Sequence, residues 1–391
     1  MVPELRKKYN SEFTAGRYDA FVRELSSSMN YPVDFRVSET PLFLSSALAT
    51  SLIEACNEIL QTIRKSDYLR QSGLAIPPHL NVPNETPHPE FLQIDFAICK
   101  GANGEYLPQL IELQGFPSLY CYQILLDDVW RKHFNIPDRL TPYFNGLNRF
   151  SYIEMLKGVI VGEEDPEQVV LLEIDPKRQK TRIDFACTAS FLGVGTASLS
   201  DLTVRGKKIF VKNNGKEVPV RRIYNRVIFD ELARYGHKFE FDFHREYDVS
   251  WAGHPNWFFK LSKFTLPFLK NKYCPSCQFL SEMDQYPRDL ENCVLKPLFS
   301  FAGTGVQIEV TRQLLDSIKK KDDYILQRKI EYAPSIETPD GYSKAEIRMM
   351  FLWDEEPMLV NNLVRLSKGA MMGVDYNKNK TWVGSSLAYH A

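Results

Sequence analysis

Long apolar runs are missing from this 391-residue chain. No stretch of about 18 uninterrupted apolar residues occurs, so the sequence offers no transmembrane helix. The first residues, MVPELRKKYNSEF, are too polar for a secretory leader, and the cytoplasm is the expected location. Charge of one sign is missing too. A formal net charge of −1 leaves no excess to draw nucleic acid or a membrane surface. Cysteine is sparse: seven thiols in so long a chain set no disulfide framework and fit a reducing compartment. Cys274 and Cys277 form a CxxC with no second pair and no histidine at ligand spacing. Ordinary loop thiols are therefore expected ahead of zinc or redox chemistry. No GxGxxG occurs, which removes the usual dinucleotide fingerprint.

What is present is a globular composition, 44% hydrophobic, 25% charged and 13% aromatic. The length suffices for about two or three domains. Residues 1–90 read as a supporting helical region. Thr40-Pro41 reads as an N-cap with proline at the first helical position. Leu44, Leu48, Leu52, Cys56, Ile59 and Ile63 then form the stripe of an amphipathic helix. Pro77-Pro78 and the PNETPHPE run mark a linker.

At residue 91 the period changes to two. Leu92, Ile94, Phe96 and Ile98 alternate with Gln93, Asp95, Ala97 and Cys99, as in a half-buried strand. KGANGE turns the chain around Asn103-Gly104, and a second strand returns through Leu107–Gln114. Glu112 and Gln114 share a face, and antiparallel pairing sets Asp95 beside them. Two carboxylates and an amide oxygen on neighbouring strands suit Mg²⁺ carrying phosphates. The alternative is a solvated polar sheet face.

Residues 119–164 are helical and irregular. VVLLEID, from Val169, suits a buried parallel strand, and a helix over Gln179–Leu192 stops at Gly193. Strands follow at Leu202–Val204, Lys208–Val211 and, after an Asn214-Gly215 turn, Val218–Val227. This is the pattern of a small Rossmann-like unit. From 251, aromatics crowd around Lys260 and Lys263, but no arginine-rich stripe supports a nucleic-acid platform. CVLKPLFSFAGTGV, from Cys293 to Val306, then embeds Lys296 in an apolar strand. Such a lysine needs an anion to offset its desolvation, and the N–H groups of a Gly303–Gly305 turn suit phosphate oxygens. The alternative is a hairpin whose lysine reaches out to water. DYILQRKI reads as another strand, AEIRMMFLW puts Glu346 and Arg348 on one face, and Arg365 and Lys368 precede a GAMMG loop.

The order of these pieces resembles the circularly permuted ATP-grasp ligases, the group of eukaryotic glutathione synthetase and glutathionylspermidine synthetase, over most of residues 91–386. DFAICKGANGEYLPQLIELQ is similar to their magnesium-binding hairpin, and SKFTLPFL and VLKPLFSFAGTGV to their two nucleotide-lysine segments. YILQRKI looks like the adenine-receiving hinge, EIRMMFLW like the arginine strand, and NLVRLSKGAMMGVDYNKNKTWV like the closing loop. The resemblance implies an α/β (α+β) fold: a circularly permuted ATP-grasp with an N-terminal helical region over 1–90. It places the metal-binding hairpin in 91–164, a Rossmann-like pre-ATP-grasp domain in 165–250 and the nucleotide-binding part in 251–391. ATP and Mg²⁺ are the implied cofactors. Lys263, Lys296, Gly303, Thr304, Gly305, Gln327 and Ile330 fall on the nucleotide, Asp95, Glu112 and Gln114 on the metal, and Arg365 and Arg348 at the transferred phosphoryl group. Gln114 stands where asparagine is usual, and Gln93 where arginine is frequent.

The implied activity is ADP-forming ligation of a small carboxylic or peptide-like acid to an amine through an acyl phosphate. Loops 299–305 and 368–374 are the expected lids. A non-catalytic nucleotide-binding scaffold and a small-molecule kinase are the alternatives.

Overall fold

One antiparallel sheet organises the molecule. Its strands lie in the order Gly384–Ser386, Pro357–Ser367, Gly341–Trp353, Phe91–Lys100 and Tyr106–Gln114, with Ile336–Thr338 paired to the third. The computed structural model describes all residues except 214, 230, 231, 233–238, 300–304, 370, 371 and 373–376.

The alternation of 91–99 is real, but the strand is not half-buried: every residue from Phe91 to Cys99 is buried. Leu92, Ile94, Phe96 and Ile98 pack on Leu48, Leu52, Cys56, Ile59 and Ile63 of the helix Ser46–Ile63. The opposite face meets the 116–133 segment. There Gln93 Nε2 donates to Ser118 O at 3.0 Å, and the Phe91 and Tyr120 rings lie 5.1 Å apart. A second layer covers the polar face, so polarity along a strand did not mean exposure.

The 46–63 helix starts later than its sequence suggested. Ser45 is the N-cap, its Oγ accepting from Leu48 N, while Thr40 is buried. Leu42–Phe43 instead pairs in parallel with Ala388–Tyr389, and the N–H groups of Leu42 and Leu44 go to Leu387 O and Tyr389 O. Those donors are spent on a strand, so the helix begins only after Leu44. The 77–90 stretch is a packed connection rather than a linker. Asn256 Nδ2 donates to Asn81 Oδ1 at 3.0 Å, Val82 O at 3.1 Å and Glu85 Oε2 at 2.8 Å.

A parallel sheet carries the strands Ser250–Ala252, Arg222–Asn225, Val169–Glu173 and Gly195–Ser198 in that order. Val169–Glu173 is buried throughout, and the helix Arg182–Leu192 crosses from it to Gly195–Ser198. Gly193 ends that helix at φ 74°, a left-handed conformation natural to glycine. The expected single strand over Val218–Val227 is two. Lys216–Val220 closes an antiparallel ribbon with Lys208–Asn213, then Arg221 turns its N–H to Gln168 O and Arg222–Asn225 enters the parallel sheet.

A third sheet, Cys277–Phe279, Tyr324–Arg328 and Cys293–Pro297, meets the edge strand Tyr106–Gln114 through the 261–273 segment. The seam is hydrogen-bonded: Leu110 N donates to Tyr273 O at 2.8 Å, and Gly115 N to Leu261 O at 3.0 Å. Trp257, Phe259, Leu261 and Leu266 are buried, and Lys260 sits 4.1 Å over the Trp257 ring, paired with Glu85. This stretch is core. Burial pushes the Cys274 and Cys277 thiols up to about 12, so neither is a thiolate at neutral pH. No helix of the described residues is long and apolar enough to cross a membrane.

The seam gives the first prediction. A Cβ on Gly115 would stand 2.4 Å from Trp257 O, so Gly115→Ala forces backbone apart and should cost about 1–3 kcal/mol. Gly16, in the helix Ala15–Ser28, has nothing within 4 Å. Gly16→Ala there should stabilise by about 0.4–1 kcal/mol. Urea unfolding of both variants checks the opposite signs.

Candidate functional site

Strand register builds the site. Asp95 lies opposite Glu112 on one side and Arg348 on the other, and Glu346 lies opposite Arg365. The resulting row of charge runs across four strands on the face away from the 46–63 helix.

Asp95 has no exposed surface. Arg348 grips it with both prongs, Nε to Oδ1 at 2.6 Å and Nη2 to Oδ2 at 2.7 Å. Arg365 Nη2 reaches the same Oδ2 at 2.6 Å and Glu346 Oε1 at 2.6 Å. Arg348 Nη1 donates to Gln93 Oε1 at 2.8 Å, and Tyr332 Oη to Glu346 Oε2 at 3.1 Å. From the third sheet, Lys263 Nζ comes 3.5 Å from Glu112 Oε2, and Lys296 Nζ donates to Ile111 O at 3.1 Å. Four cations meet three carboxylates here, nearly all buried. Arg365, with its side chain 37% exposed, is the most open of the four, while its Nε is buried and has no partner among the described residues.

The charges set one another's ionisation. Burial would raise the Glu112 carboxyl, but Lys263, Lys296, Arg365 and Arg348 together pull it down to about 2. Burial dominates at Glu346 and raises it, although Arg365 opposes the shift. Burial lowers the Lys296 ammonium, opposed by Glu112. Burial also works against the charge on Arg365, yet Glu346, Asp95 and Glu112 hold it above its ordinary range.

Two expected roles bear on these contacts. Mg²⁺ needs open carboxylate oxygens. Asp95 offers none, since each of its oxygens accepts from a guanidinium. Gln114 donates Nε2 to Glu112 Oε1 at 2.9 Å, which leaves only the Oε2 of Glu112 facing an ammonium. Among the described residues no group of three His, Cys, Asp or Glu could hold a metal ion. The set Asp95, Glu112 and Gln114 therefore does not fit a metal as it stands. Arg348, expected at the reacting group, lines the cleft and gives one donor from each of its nitrogens to Asp95 and Gln93.

The expected nucleotide residues fit phosphate by charge rather than by space. Lys263, Lys296 and Gln327 are buried, and Gln327 Nε2 is without a partner. The gap bounded by Glu112, Gln114, Lys263, Leu298 and Phe299 holds about 30 Å³, roughly one water. Gly305 takes φ +76°, and Ile330 is half-buried beyond the end of Tyr324–Arg328. Gly303 and Thr304 lie outside the described residues, as do parts of both expected lid loops.

Beside the charged row opens a cleft of about 1170 Å³. Glu112, Gln114, Arg348 and Arg365 form one wall. The C-terminal ends of the parallel strands form the other, with Glu173, Arg178, Lys180 and Arg226. Sequence reading did not find Glu346 as the Arg365 partner, because that needed the register between two long strands.

No family model and no curated protein sequence matches this chain. Among solved structures, a glutathione synthetase-like effector from Globodera pallida, determined in its apo form, superposes with a TM-score of 0.55. The match covers 96% of this chain and 95% of that one, at 9% identity. The two chains share a fold. At that identity the likeness extends no further, and it speaks for the whole mixed α/β architecture rather than for any residue.

Glu112 gives the pH prediction. Its carboxyl falls from an unfolded value of 4.5 to about 2 when folded, so the stability it contributes is full above 4.5 and lost as pH falls toward 2. Melting temperature against pH should drop more steeply for the wild type than for Glu112→Gln in that window. Parallel curves would refute the coupling.

Proposed function

We propose that this chain is an ATP-dependent, ADP-forming carboxylate–amine ligase with a circularly permuted ATP-grasp arrangement and a Rossmann-like domain over residues 165–250. The observation that carries the reading is the charged row itself: Arg348 and Arg365 line a cleft large enough for a small acid, and Lys263 and Lys296 lie buried beside Glu112 next to it. The glutathione synthetase-like fold supports it. Bound here, ATP would supply the phosphoryl group that makes a substrate carboxylate reactive toward an amine. Lys263 and Lys296 would neutralise phosphate oxygens, a task that positioning and charge accomplish without covalent help. Arg365, with its side chain 37% exposed where it lines the cleft, would hold the carboxylate or the phosphoryl oxygens with its exposed donors. Asp95 and Glu346 hold Arg365, and Arg348, itself held by Gln93, holds Asp95 in turn.

A second reading, a nucleotide-binding or scaffold protein without turnover, is favoured by one observation. Asp95 is closed off by arginines, and the gap at Lys263 is the size of one water.

Calorimetric titration with a non-hydrolysable ATP analogue, with and without Mg²⁺, tests the nucleotide site that the ligase reading requires. The ligase reading expects micromolar binding, weakened about 10–100-fold in Lys296→Ala by loss of a charge-assisted contact worth about 1.5–3 kcal/mol. Undiminished binding in Lys296→Ala would contradict the assignment, and no binding to the wild type would leave the scaffold reading.

A further inference from the structure

A leucine in a backbone conformation that leucines avoid lines the cleft. Leu119 has φ +63°, in the left-handed region. Of the six described non-glycine residues with positive φ, four are asparagines, whose short polar side chain tolerates it. Leucine carries the steric cost in full, and such strain persists only where the surroundings dictate it.

Here they do. Ser118 O accepts from Gln93 Nε2 at 3.0 Å, Leu119 N donates to Asp184 Oδ2 at 3.1 Å, and Tyr122 N to Asp184 Oδ1 at 2.8 Å. Tyr120 Oη donates to Phe351 O at 2.9 Å. Asp184 and Gln93 have no exposed surface. Gln93 also accepts from Arg348 Nη1, so the turn is tied directly to the charged row. The polar groups that hold the turn are thereby occupied, and the side chain it contributes to the cleft wall is apolar.

Other segments add apolar surface to the same cleft. Ile174 follows the strand Val169–Glu173 and Ile228 lies just beyond its neighbour Arg222–Asn225, both at carboxyl ends of the parallel sheet. Phe35 comes from the N-terminal region, its ring 5.4 Å from Tyr122. Leu363 stands two residues before Arg365 on one strand and so shares its face. A cleft of about 1170 Å³ is far larger than a bare carboxylate needs, and apolar side chains converging beside a few charged groups are what a ligand with an apolar body fits.

We propose that the acid taken by this cleft carries an apolar body, an alkyl or aryl chain seated on Leu119, Phe35, Ile174 and Ile228, and that Leu119 is a residue that sets this preference. The place of the carboxylate at Arg365 rests on the ligase reading. The apolar seat does not.

The test titrates butyrate, hexanoate and glutarate calorimetrically into the full chain, without nucleotide and again with the ATP analogue and Mg²⁺. Hexanoate should bind at least about tenfold more tightly than butyrate, as two further buried methylenes imply. Glutarate, whose second carboxylate replaces the apolar end, should bind no more tightly than butyrate. In Leu119→Asn, which suits the left-handed backbone and removes the apolar surface, the hexanoate-to-butyrate ratio should fall to within about threefold. A leucine that only supports the fold would lower the melting temperature and leave that ratio intact, which overturns the assignment. Should Leu119→Asn not fold, Leu119→Gly, which relieves the strain, must lower the ratio instead. Tighter binding of glutarate than of hexanoate, equal binding of hexanoate and butyrate, or no binding of any acid in either condition overturns the proposal. An analogue that fails to bind while the chain-length preference stays intact rejects the ligase reading and leaves this seat standing; an analogue that binds without any such preference does the reverse.

Discussion

A carboxylate with no exposed surface holds two guanidiniums, and the candidate site depends on that grip. Asp95 fixes Arg348 through two hydrogen bonds and Arg365 through one. Gln93 and Glu346 take up remaining donors of the same pair. Burying these ions is not a bargain in stability terms, because desolvation offsets most of the attraction. What the arrangement gives is position: Arg365 is held on the sheet where it lines the cleft, and removing Asp95 would leave two uncompensated charges behind it.

The balance of charge says what such a site awaits. Four cations stand around three carboxylates among the described residues, a balance that favours an incoming anion. The Oε2 of Glu112 stands 3.5 Å from the Lys263 ammonium. Across the cleft the other wall carries Arg178, Lys180 and Arg226. Two walls from two sheets each present positive charge to the space between them. Antiparallel register supplies one wall and the carboxyl ends of parallel strands the other.

Much of this was legible in the sequence, for identifiable reasons. The period of two from Leu92 to Ile98 and the Asn103-Gly104 turn are short-range signals, and they placed Asp95 opposite Glu112 correctly. Lys296 in an apolar strand announced a buried cation, and the structure buries it. What stayed hidden depended on partners far along the chain. Asp95 read as a metal ligand because a carboxylate beside Glu112 looks the same whether Mg²⁺ or an arginine 253 residues away completes it. Thr40 read as a helix cap because nothing nearby shows that Leu42 and Leu44 pair with the last strand. The Val218–Val227 run broke at Arg221 because its second half belongs to another sheet.

The central claim is that this site activates a carboxylate for attack by an amine. Trapping with hydroxylamine tests it most directly, since hydroxylamine stands in for an unknown amine and turns any activated acid into a coloured hydroxamate. With ATP, Mg²⁺ and a panel of small mono- and dicarboxylic acids, the account predicts hydroxamate and ADP in equal amounts for at least one acid, and neither in Arg365→Ala. ADP release with a stable phosphorylated product and no hydroxamate would contradict it in favour of a kinase. Silence across the whole panel from a folded wild type would contradict it in favour of a scaffold.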